Sequence, residues 1–115
     1  MKVPRWSVWL ANLEPVTGSE QGRTRPVLII SETTLNDILP VVNALPITSR
    51  KKGRRVYPDE ALLPANTAGL ALESVALCYQ IRTLDKQRIR NMFGVIDGTE
   101  IREAILEALR FQLAL

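Results

Sequence analysis

The sequence predicts a mainly β fold: a small antiparallel barrel or strongly curled sheet with one helix packed on it. Three observations predict it. Short apolar, β-branched runs succeed one another, separated by Pro, Gly and Asn turn residues. Only the C-terminal segment carries sustained helical periodicity. The order is strands first and helix last, with no repeat or low-complexity stretch. At 115 residues the chain is expected to form one domain, 1–115. A domain of that size buries roughly 65% of its unfolded surface, enough for a core without disulfide staples.

The elements follow in chain order. Trp6 to Leu13 is aromatic-rich and β-branched and predicts a first strand. Gly18 to Thr24 is a polar loop, and Pro26 to Ile30 is a continuous apolar run too short for a buried helix, hence a core strand. Ser31 to Asp37 can hold one helical turn capped by Ser31 and stopped by Pro40. Val41 to Ser49 predicts a third strand, with Pro46 marking an edge or a bulge. Arg50 to Arg55 is a turn around Gly53, and Val56 to Leu63 predicts an edge strand containing Pro58. Leu70 to Thr83 has a long strand pattern with room for a kink; at its end Tyr79, Ile81 and Thr83 alternate with Gln80 and Arg82. Leu84 to Arg88 is a short helical turn opened by Asp85, and Ile89 to Val95 a last strand. Thr99 to about Leu113 is the helix. Ile101, Ile105, Ala108, Leu109 and Gln112 share one face, Thr99 is the expected N-cap, and Glu100 and Glu103 suit the positive end of the dipole.

Composition narrows the chemistry. The chain has no histidine, so His-based acid–base pairs and Ser-His-Asp or Cys-His arrangements are excluded. One cysteine, Cys78, excludes both an internal disulfide and a zinc site of the usual N/S kind. Carboxylate-held Mg²⁺ is the one metal option left by composition, and the acidic residues are scattered without a D-x-D pattern. An enzyme of this composition is expected to work with Arg, Lys, Thr, Ser, Tyr or carboxylates and without metal or other cofactor. No run approaches the ~20 apolar residues of a membrane span. Met1 to Arg5 is not followed by a leader-like apolar stretch, so a reducing cytoplasm is the expected compartment. The net charge of +3 is compatible with an anionic partner such as nucleic acid.

Two stretches draw attention. In Gly18-Ser19-Glu20-Gln21-Gly22-Arg23-Thr24-Arg25-Pro26, the proline fixes its own φ and drives Arg25 toward an extended backbone. Arg25 is then the last residue of a polar loop, held by the strand that begins after it. In Arg50 to Arg55, five of six residues are basic. A solvated hairpin tip is the ordinary reading of such a run.

Three segments now line up: Leu13-Glu14-Pro15 with Gly18-Ser19-Glu20-Gln21-Gly22-x-x-Arg25-Pro26, then Leu45-Pro46-Ile47-Thr48-Ser49, then Gln80-Ile81-Arg82-Thr83-Leu84-Asp85-Lys86-x-Arg88-Ile89. Together, in this order and from Trp6 to the C-terminal helix, they resemble the MazF/PemK family of toxin–antitoxin ribonucleases. The resemblance implies an SH3-like curled barrel with a C-terminal helix, a symmetric homodimer, and a cognate antitoxin that is acidic and partly disordered. It implies a type II toxin that arrests translation by cutting single-stranded RNA at short sequences without a metal. The ribose 2′-OH attacks the adjacent phosphate and leaves a 2′,3′-cyclic phosphate and a 5′-OH. It places the catalytic pair on Arg25 and Thr48.

The residue chemistry agrees. A planar, always-charged guanidinium on a rigid backbone suits the charge gathered on the phosphate oxygens, and a Thr hydroxyl on a neighbouring strand can donate to the same oxygens. The reaction needs a 2′-OH, so it selects RNA over DNA. RNA contacts are expected at Ser19, Glu20, Gln21, Thr24 and Ser49, and at Arg50, Lys51, Arg54 and Arg55 of the basic turn. Gln80 and Arg82 either contact RNA or support the site from beneath. Trp6 and Trp9 are expected in the core or an interface, and Cys78 as an inert strand residue. The competing readings are a CcdB-like toxin that binds DNA gyrase without cutting RNA, and a non-catalytic RNA- or protein-binding barrel. The G-x-x-R-P loop and the P-I-T-S segment favour the enzyme.

Overall fold

A computed structural model describes residues 1–115. The strands are β1 (Ser7–Asn12), β2 (Thr24–Ile29), β3 (Val41–Ser49), β4 (Glu60–Leu63), β5 (Ser74–Leu77), β6 (Arg82–Asp85) and β7 (Ile89–Val95); the helices are α1 (Thr33–Ile38) and α2 (Thr99–Leu113). All pairings are antiparallel, in the order β4-β5-β3-β2-β1-β7, with β6 also paired to β3. The sheet curls but does not close, so the barrel expectation holds in its open, curled-sheet form.

Strand alternation gives the sheet two apolar faces. Val8, Leu28, Leu45 and Ile47 point to one, where Ile105, Ala108 and Leu109 of α2 pack with them. Trp9, Ala11, Val27, Ile29, Ala44 and Leu84 point to the other. Both tryptophans are core residues, each 7% exposed. Two guanidiniums approach the Trp6 ring, Arg5 at 4.9 Å and Arg102 at 5.2 Å from its centre. Arg102 Nε also donates to the Ile96 carbonyl at 2.6 Å, which ties the start of α2 to the end of β7. Cys78 is buried; burial first, then the charges of Asp59 and Glu60, push its thiol up to about 12.

Most strand bounds match the pattern, and the departures have local causes. Pro26 is the third residue of β2, not its first, because Thr24 and Arg25 already pair with Asn12 and Ala11. Pro46 is interior to a central strand. It is tolerated because β3 changes partners there: Val41–Ala44 pair with β6 and Ile47–Ser49 with β5. The expected strand from Val56 shrinks to Glu60–Leu63, since Tyr57 to Asp59 form a turn closed by Glu60 N–H to the Tyr57 carbonyl at 2.9 Å. It is an edge strand, as Pro58 implied. The long pattern from Leu70 breaks into β5, a 3-10 turn at Cys78–Gln80, and β6, so Tyr79 and Gln80 leave the predicted alternation. Glu32, not Ser31, caps α1, accepting from Thr34 N–H at 2.7 Å. Gly98, not Thr99, occupies the cap position of α2, and Gln112 is exposed. Asp85 does open the turn at Lys86–Arg88, accepting from Gln87 N–H at 2.8 Å. No helix is long and apolar enough to cross a membrane.

Candidate active site

The β2–β3 ladder pairs Ile29 with Ala44, Leu28 with Leu45 and Val27 with Pro46. Continued in the same phase, this register sets Arg25 opposite Thr48, on the sheet face that carries Val27 and Ile29. Ladder pairing stops short of them because Pro26 and Pro46 offer no N–H. A cleft of about 260 Å³ lies beside Arg25, lined by Arg25, Pro26, Ile47, Ser49 and Leu72 among others but not by Thr48. Arg25 and Thr48 are both half-buried, Thr24 and Ser49 exposed.

The loop between β1 and β2 sets the direction of Arg25. Its Nε donates to the Gly22 carbonyl at 2.9 Å, while neither terminal nitrogen has a protein acceptor. The bidentate edge of the guanidinium is therefore left for an anion. Gly22 is closely covered: a Cβ would sit 2.6 Å from Glu14 Oε1 and 2.8 Å from Val16 Cγ2, so a side chain there would displace the Glu14 carboxylate. That same Glu14 oxygen accepts the Arg23 N–H at 2.7 Å and joins the two ends of the loop. Glu20 folds back on the loop, its carboxylate accepting Thr17 N–H at 2.6 Å, and Ser19 is exposed.

The third motif lies against this loop. Gln80 Oε1 accepts the Gln21 N–H at 2.7 Å. Arg82 Nη1 donates to the Leu13 carbonyl at 3.3 Å, and Arg88 Nη1 to the Asn12 carbonyl at 3.3 Å and to the Glu14 carbonyl. An open cleft of about 560 Å³ runs between Ser19 and Glu20 on one side and Tyr79 to Thr83 on the other.

The basic turn is built differently. Arg50 Nη1 pairs with Glu73 at 3.1 Å, and its Nε donates to the Arg54 carbonyl at 2.9 Å. Arg54 holds Glu60 with both terminal nitrogens, at 3.1 and 2.8 Å, and the Glu60 side chain is 3% exposed. Burial pushes the Glu60 carboxyl up, but hydrogen bonds from Arg54 and from the Tyr57 N–H outweigh it and the net displacement is downward. Arg54 is correspondingly raised, chiefly by its hydrogen bond to Glu60. The Arg55 guanidinium lies 5.3 Å from the Tyr57 ring centre. Lys51 and Lys52 are exposed and take part in no ion pair.

The structure thus gathers Arg25 and Ser49 at one cleft, with Thr48 opposite Arg25 on extension of the β2–β3 register, and Ser19, Glu20, Gln80 and Arg82 at another. Within the basic turn it engages Arg50 and Arg54 and leaves the lysines free. The sequence pattern does not single out Glu14 and Arg88, although both stand inside the quoted motifs. Nor does it single out Glu60 and Glu73, which carry no sequence signal because their arginine partners are chosen by the fold.

Comparisons with known proteins bear on the family and the fold. Residues 4–113 match the family model of the PemK-like, MazF-like toxin of type II toxin–antitoxin systems. The chain is 38% identical over 115 residues to Endoribonuclease EndoA of Bacillus subtilis (strain 168), covering 100% of this chain and 97% of that protein. It is similar to the crystal structure of MazF from Deinococcus radiodurans, with TM-score 0.83, 28% identity, and coverage of 100% and 99% of the two chains. A MazE–MazF crystal structure from the same organism gives TM-score 0.75 and 25% identity, with coverage of 100% and 98%. A match over this much of the chain settles its kinship: it belongs to the PemK-like, MazF-like family of type II toxins.

Proposed function

We propose that the chain is an endoribonuclease toxin, one domain over residues 1–115, that cuts single-stranded RNA without a metal. The observation that carries the reading is the unoccupied anion-binding edge of Arg25 beside an open cleft, with Thr48 opposite it when the β2–β3 register is extended by two positions. RNA supplies the nucleophile. The ribose 2′ oxygen attacks the adjacent phosphorus, the bond from phosphorus to the 5′ oxygen breaks, the 2′-OH proton is lost, and the 5′ oxygen gains one. The products are a 2′,3′-cyclic phosphate and a 5′-OH. Arg25 chiefly stabilises the charge on the non-bridging oxygens, and the Thr48 hydroxyl donates to the same group.

Exposed Lys51 and Lys52, with Arg55, supply phosphate attraction beside Ser49, and Ser19, Glu20 and Thr24 face the incoming strand. The reading places the protein with its substrate in the cytoplasm. The MazE–MazF complexes of a similar protein support a cognate antitoxin as partner, acidic and partly disordered to match this basic chain. Edge strand β7 exposes Met92, Phe93 and Val95, apolar surface suited to a homodimer.

The test is incubation of the purified protein with long RNA in EDTA, followed by mapping of 5′ ends. Discrete cuts bearing 5′-OH are the expected result. Intact RNA together with inhibited DNA gyrase would replace the reading with a non-enzymatic poison.

A further inference from the structure

We propose that Gln80 is a latch for the β1–β2 loop: it holds the loop backbone and thereby aims Arg25, rather than reading RNA itself. Its catalytic consequence rests on the ribonuclease reading; the latch does not. The Gln21 N–H can only donate, so the Gln80 atom facing it at 2.7 Å must be the oxygen. That orientation turns Nε2 toward the Ser19 carbonyl at 3.5 Å and the Tyr79 hydroxyl at 3.3 Å, both able to accept. One amide thus grips the loop on either side of Glu20, across 59 and 61 residues of sequence.

The base of the latch is rigid. Gln80 ends a 3-10 turn whose first residue, Cys78, is buried between β5 and α2. From Gln21 the constraint passes along the backbone. The next residue is Gly22, whose carbonyl receives Arg25 Nε, and the one after is Arg23, whose N–H is taken by Glu14. The Gln21 amide and the Gly22–Arg23 peptide, two peptide units on, are thus both held, which narrows the conformations open to Gln21 and Gly22 and so the direction of the Arg25 fork. Arg82 and Arg88 hold the root of the same loop through the carbonyls of Leu13, Asn12 and Glu14. The third motif therefore acts as a clamp on the first, with Gln80 holding its Ser19–Gln21 segment.

The experiment compares wild type, Gln80→Ala and Gln80→Glu by amide hydrogen exchange without RNA and by steady-state cleavage. A latch predicts that Gln80→Ala speeds exchange at the Gln21 N–H by about tenfold or more, while the buried β3 amides keep their protection and report an intact fold. It predicts a kcat lower by about tenfold with KM within about twofold, since the loss is one of positioning. Gln80→Glu keeps an acceptor oxygen, so it restores protection at Gln21 and most of kcat. If Gln80 instead contacts RNA, Gln80→Ala raises KM several-fold while kcat changes little. That result overturns the latch, as does unchanged Gln21 exchange in Gln80→Ala. If the protein cuts no RNA at all, the exchange experiment still decides the latch.

Discussion

Two regions of the molecule employ arginine in opposite ways. Around the β1–β2 loop, Arg25, Arg82 and Arg88 donate to main-chain carbonyls and form no ion pair with a carboxylate. Around the 50–55 turn, Arg50 and Arg54 pair with Glu73 and Glu60, so the shape of the turn depends on carboxylate charge. A guanidinium held by a carbonyl at Nε keeps its other edge for a ligand. A guanidinium held at both terminal nitrogens, as Arg54 is, has spent that edge on the fold. Proximity in sequence to the site is therefore a poorer guide to RNA contact than which nitrogens remain free.

The largest expected effect falls on Arg25. Arg25→Ala should lower RNA cleavage by about 10²–10³-fold, the cost of removing one donor aimed at developing charge. Arg25→Lys should recover only part, because an ammonium lacks the fork. Initial rates with mapped 5′ ends check both, and wild-type rates in Arg25→Ala would remove it from the site.

Next comes the titrating half of the comparison. The folded pKa of Glu60 lies below its reference value of 4.5. Its contribution to stability is therefore complete above pH 4.5 and is lost as pH falls through the folded value. Glu60→Gln should cost about 1–3 kcal/mol near neutral pH, since Arg54 loses its counter-charge in a largely buried setting, and should flatten the acid limb of the stability curve. Urea unfolding at pH 7 and pH 3 measures this; identical acid limbs in the two proteins would erase the distinction between the regions.

The smallest effect is on free charge. Replacing Lys51 and Lys52 by Ser should leave thermal stability unchanged and reduce the salt slope of RNA binding by roughly 0.7 for each phosphate no longer neutralised. An unchanged slope would make the turn a solvated one.

Sequence pattern reaches the strands and α2 because alternation and helical spacing are local properties. The predicted bounds of β3, β7 and α2 agree with those observed. It fails where a distant partner overrides local preference. Pro46 enters a central strand only because β3 exchanges β6 for β5 beside it, and nothing near Pro46 in sequence announces those strands. At the site, Arg25 and Thr48 are legible as motif residues, and extending the β2–β3 register by two positions sets them opposite one another. The division of labour within Arg50 to Arg55 is not legible: five neighbouring cations look alike until the fold brings up Glu60, six residues on from Arg54, and Glu73, 23 residues on from Arg50. Sequence alone leaves Gln80 between support and contact, and its two hydrogen bonds to the loop depend on a fold that brings residues 59 and 61 positions away against it.

The buried state of Cys78 has a practical side. With its only sulfhydryl sealed in the core and held protonated up to about 12, the native chain offers nothing to a maleimide dye at neutral pH. A single exposed replacement such as Ser19→Cys would then carry the only label, and its fluorescence would report the opening and closing of the loop as RNA or a partner arrives.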